Sequence, residues 1–213
     1  MQNPVRGLLN GSAALLSALG AGLLMVRCSG DLSHRAVLLV FALSLVALYT
    51  ASGLYHCVPW QRLWKQRMQR IDHSMIYVLI AGSITPIAWL AVDGWPRWVS
   101  LGLAWGVALI GIAQKAFGPK LGDGFSITLQ TLQGWLALPL LVPLVARLPW
   151  LGLALALGGG ALYTIGMVLF VARQPRLWPG VFSYHEVFHV FVVGGSSAHF
   201  LLALWYIAPL AGS

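Results

Sequence analysis

The chain has 213 residues, enough for one or two soluble domains, yet only 8% are charged and 59% are hydrophobic. Soluble domains carry about 25% charged residues, so thirteen basic and five acidic side chains cannot cover a globular surface of this size. With a mean hydropathy of +0.81, the composition excludes a soluble, disordered or secreted disulfide-rich protein and predicts several membrane spans.

Seven apolar stretches predict transmembrane helices near Leu8–Val26, Ala36–His56, Ile71–Val92, Trp98–Gln114, Ser126–Ala146, Trp150–Val171 and His185–Ala208. Only Arg147, Leu148 and Pro149 separate the fifth from the sixth, which leaves six spans as the rival count. The stretch from Ser126 to Val171 is nevertheless long enough for two crossings around a tight turn. The first stretch follows Arg6 as a signal peptide would, but it stays apolar to Val26 and reads as a retained span. All connections are short, so residues 1–213 are expected to form a single seven-helix transmembrane domain of the all-α class. Pro86, Pro139 and Pro143 fall inside spans and predict kinks.

The basic residues are an orientation code. With the N-terminus inside, Arg6, Arg62, Lys65, Arg67, Arg70, Lys115, Lys120, Arg173 and Arg176 lie on the cytoplasmic side, against Arg27, Arg35, Arg97 and Arg147 opposite. This asymmetry predicts a cytoplasmic N-terminus and an outside C-terminus. No basic face interleaved with aromatics supports nucleic-acid binding, and no glycine loop between strand and helix supports a nucleotide. Cys28 and Cys57 follow spans that end on opposite faces, so no disulfide is expected.

Ionisable groups inside a membrane are costly and usually functional. Here Ser52 and His56 end the second span, Asp72 begins the third, and His185 and His189 begin the seventh. The predicted topology brings these three segments to one depth. His185 and His189, four apart, share a helix face, as do Ser52 and His56. Three imidazoles from two helices, with a carboxylate from a third, match an open catalytic zinc site of three protein ligands. His56, His185 and His189 are thus the expected ligands of one Zn²⁺, with Asp72 as proton acceptor and Ser52 as a hydrogen-bonding partner. H-E-x-x-H at His185–His189 also matches a metalloprotease pattern, which one short motif cannot establish. His34 and His73 read as interfacial residues, His199 as a packing or hydrogen-bonding residue, and Gln114, Gln130 and Gln133 as interhelical hydrogen-bonding groups.

The SGLYH, DHSMIYVLIAGSITP and HEVFHVFVVGG segments together resemble the hemolysin III family. That family is the bacterial branch of the seven-span proteins that include the progestin and adiponectin receptors. The resemblance extends over nearly the whole chain and implies the same topology. Its S-x-x-x-H falls on Ser52 and His56, its acidic position on Asp72, and its H-x-x-x-H on His185 and His189, which implies a zinc site near the cytoplasmic face. A wider similarity to alkaline ceramidases implies hydrolysis of a lipid-like amide or ester, with a membrane lipid or acyl chain as partner. A sensor with a structural zinc site and a cytolytic protein are the competing expectations. The oligomeric state is left open.

Overall fold

Apolar spans set the helices, and flanking residues set where they stop. α1 covers Pro4–Arg27, α2 Leu32–Cys57, α3 Arg62–Ala91, α4 Trp95–Phe117, α5 Asp123–Trp135, α6 Leu138–Val145, α7 Trp150–Ala172 and α8 Tyr184–Leu202. A π-helical segment, Ala203–Ile207, prolongs α8. The computed structural model describes residues 4–119, 121, 123–178 and 181–210. Among them, seven helical stretches are long and apolar enough to cross a membrane, α5 and α6 together forming the fifth. The protein is an all-α, multi-pass membrane protein, and the six-span count is set aside.

Three boundaries differ from the hydropathy reading for identifiable reasons. α2 begins at Leu32 because the Asp31 carboxylate accepts the His34 amide at 2.9 Å and caps the helix. That hydrogen bond also holds the Asp31 carboxyl below the usual carboxylate range. α3 begins at Arg62, well ahead of Ile71, since the intervening Arg, Lys, Gln and Met residues are good helix formers. The fifth span is interrupted instead of merely kinked. The chain turns at Leu136 and Ala137, and α6 restarts with Pro139 in its first turn, where a missing N–H costs little.

α2 and α3 are the most buried spans and form the centre of the bundle. α1 packs on α2, α4 on α3, α7 on α8, and α8 closes back on α1. Close approach depends on small residues: a Cβ at Gly82 would collide with Ser44 of α2, and one at Gly111 with the Tyr77 ring. Polar groups then bind the centre together. Gln133 donates to the carbonyls of Tyr77 at 3.0 Å and Ala104 at 3.1 Å, uniting α5 with α3 and α4. Gln130 reaches the His73 carbonyl, whereas Gln114 folds back onto Pro119 of its own loop. Beside Pro86, Thr85 donates to the Ala81 carbonyl and accepts the Trp105 indole N–H at 3.1 Å.

At the end of the bundle where α3 meets α4, Asp93 binds Arg97 at 2.5 Å and Arg147 at 2.8 Å, joining two connections. The Arg147 hydrogen bond is the main reason that the Asp93 carboxyl is held below its ordinary range. A depressed folded-state pKa stabilises the protein above the unfolded value near 3.8, and the effect is lost as pH falls through the folded value. The melting-temperature gap between the native chain and Asp93→Asn is therefore expected to be full at about pH 6 and to close below about pH 4. A gap that persists unchanged at lower pH would contradict this assignment.

Candidate metal centre

Two helix ends build the site. α2 finishes with Tyr55, His56 and Cys57, and the Val58 amide closes its last turn on the Leu54 carbonyl at 3.2 Å. α8 starts at Tyr184, where the Ser183 amide donates to Glu186 Oε2 at 2.8 Å. This cap fixes the first turn of α8, which carries His185, and His189 follows one turn later. Their rings stack with centroids 5.1 Å apart and an interplanar angle of 13°. His56 enters edge-on from α2, 5.5 Å from the His185 ring and 5.3 Å from the His189 ring.

The three histidines offer ligand atoms that all lie within 4.8 Å of one another. Tetrahedral coordination at ~2.1 Å places such nitrogens roughly 3.4 Å apart, within reach of small side-chain rotations. Nε2 of His56 and Nε2 of His189 are buried and have no hydrogen-bond partner among the described residues. Leaving two buried ring nitrogens unsatisfied is costly in an apolar bundle, and a cation would satisfy both. The group therefore fits a metal ion.

The other expected site residues surround this group without joining it. Ser52 lies one turn before His56 and faces the Asp72 carboxyl. It falls short of good hydrogen-bond geometry, so its Oγ also remains without a partner among the described residues. Asp72 is 7% exposed and stands outside the three-histidine group. Three helices thus bring His56, Ser52, Asp72, His185 and His189 to one end of the bundle.

Two neighbours were not legible in the histidine pattern. Asn10 of α1 is buried, donates to the Arg6 carbonyl at 2.8 Å and places Nδ2 3.5 Å from His189 Nδ1. Its signal was available as an amide inside an apolar span. Arg6 binds Glu186 Oε1 at 2.6 Å, pinning α1 to α8. With Oε2 on the Ser183 amide, both Glu186 oxygens are engaged, and the residue has a cap-and-pin role in place of the base of a protease motif. Glu186→Gln is expected to lower stability by about 1–3 kcal/mol without reducing bound metal. Metal loss from a folded Glu186→Gln chain would instead place this residue in the centre itself.

Two turns further into the bundle, Tyr49 of α2 and Tyr163 of α7 both meet Ser196 Oγ of α8, at 2.8 and 2.9 Å. His199 approaches the Ala156 carbonyl at 3.2 Å, consistent with its internal hydrogen-bonding role. This buried polar node holds α2, α7 and α8 together directly beneath the histidines, so the site-forming ends of α2 and α8 are positioned from below as well as at their caps.

A family model described as "Haemolysin-III related" matches residues 2–200. The chain belongs to the haemolysin III family. It is 32% identical over 204 residues to "Hemolysin-3" of Bacillus cereus, covering 95% of this chain and 90% of that protein. It is 35% identical over 167 residues to "Hemolysin-3 homolog" of Bacillus subtilis (strain 168), covering 78% of this chain and 75% of that protein. Family membership agrees with the resemblance carried by the segments around His56, Asp72 and His185, and these segments supply the converging helix ends.

Proposed function

We propose that this haemolysin III family member is a zinc-dependent hydrolase of a lipid-like amide or ester, working at the cytoplasmic face of the inner membrane. The observation that carries the reading is the three-histidine group, in which His56 and His189 are buried with unpartnered Nε2 atoms and His185 is half-buried, together with a separate buried carboxyl at Asp72. A structural zinc site fills four positions with protein ligands, while a catalytic site uses three and leaves one open. His56, His185 and His189 would hold the metal. When bound, zinc supplies Lewis-acid polarisation of a carbonyl and lowers the pKa of water.

The chain's own residues supply the rest. Asp72 accepts a proton from the attacking water and returns it to the leaving amine or alcohol. Ser52, facing Asp72 one turn before His56, orients the water or a polar group of the substrate. Glu186 and Arg6 hold α8 against α1 so that the two α8 histidines keep their register. The membrane-embedded setting favours an acyl chain arriving from the bilayer.

The test is metal removal in proteoliposomes containing N-acyl and ester lipids. Release of free fatty acid is expected to stop with a strong chelator and to return on adding zinc. Release that is indifferent to chelation would overturn the hydrolase reading. The name hemolysin-3 carried by the two Bacillus relatives raises cytolysis as a competing function. Dye leakage from liposomes that survives loss of all three histidines would favour it.

A further inference from the structure

The apolar part of the third span starts at Ile71, but α3 starts at Arg62 and projects beyond it. This projection carries Arg62, Lys65, Arg67 and Arg70, with no acidic residue between Trp60 and Ile71. All four basic residues are exposed, and so are Leu63 at 71% and Trp64 at 51%. The Trp60 and Trp64 rings lie 6.5 Å apart, and the Arg67 guanidinium sits 5.0 Å from the Trp64 ring. Trp60 donates its indole N–H to the Leu54 carbonyl at 2.9 Å, while Arg70 reaches the Ala116 carbonyl at 3.3 Å.

A topology signal requires only an excess of Lys and Arg near a span. This segment has more: an ordered helix, an aromatic pair anchored on the end of α2, and an exposed Leu and Trp among the charges. Indole rings settle at the headgroup level of a bilayer, where guanidinium and ammonium groups meet phosphate. A zwitterionic lipid neutralises its own phosphate, but an anionic lipid leaves a charge for the protein to answer. We propose that the Trp60–Arg70 segment is a binding site for anionic phospholipid headgroups, adjacent to the metal centre and independent of its chemistry.

The experiment is native mass spectrometry of the full chain released from mixed bilayers, comparing retained phosphatidylglycerol with phosphatidylcholine. Phosphatidylglycerol is expected to be retained preferentially. Arg67→Gln is expected to reduce that preference by about fivefold, as removal of one basic side chain near an anionic surface should. Arg27→Gln, at the opposite end of the bundle, should leave it unchanged. Should Arg67→Gln fail to insert, a salt titration of the unaltered protein decides, since the preference must decline as salt screens the headgroup. His189→Ala should retain the preference, which separates failure of the metal reading from failure of this one. Equal retention of both lipids, equal effects of the two Arg variants, or indifference to salt would overturn the assignment. Competition by glycerol 3-phosphate at matched concentration would overturn it too, by revealing a site for soluble phosphate.

Discussion

His189→Ala is expected to leave the protein folded and inserted while abolishing its bound zinc. Metal analysis of material prepared without chelators should show near-stoichiometric zinc in the native chain and almost none in the variant. One ligand of three contributes on the order of 3 kcal/mol or more, about a hundredfold in affinity. The prediction is strong at this position because the His189 ring is buried and stacks on His185. Asn10, next to Nδ1 of the same ring, stays in place to mark the fold. A His189→Ala chain that retains full zinc would remove the three-histidine group as the binding site.

Asp72→Asn separates the two roles that a metal could play here. Asparagine keeps the size of the side chain and its ability to hydrogen-bond, but it cannot accept the proton that hydrolysis must move. Zinc content is therefore expected to stay at the native level while fatty-acid release falls by about 10²–10⁴, the usual contribution of a positioned acid–base group. The position of Asp72 outside the three-histidine group supports this separation. Unaltered turnover with unaltered zinc would instead favour a structural metal, with the protein acting as a sensor or regulator of the membrane.

What the sequence made legible follows from which signals are local. Seven spans were legible because lipid-facing helices must be apolar along their length. The meeting of His56 with His185 and His189 was legible because short loops force alternating directions, which brings the end of α2 and the start of α8 to one depth. Boundaries depending on polar residues were less visible. Hydropathy stops at Ile71, whereas the helix continues outward to Arg62 on residues that favour helix without being apolar. Pro139 announced a disturbance but could not say whether the ladder bends or breaks. The Arg6–Glu186 pin and the Tyr49–Ser196–Tyr163 node were hidden because each joins helices distant in sequence. Only their packing reveals the partners.

The pin between α1 and α8 also dates the three-histidine group in the life of each molecule. About 130 residues separate His56 from His185, which at roughly 5–20 residues per second is on the order of 6–26 seconds of synthesis. During that interval His56 is already made but has neither of its companions, and Arg6 has no carboxylate to meet. The site closes only when α8 docks against both α1 and α2. Any metal held by the three histidines would therefore mark fully assembled bundles and be missing from chains arrested before the last helix enters the bilayer.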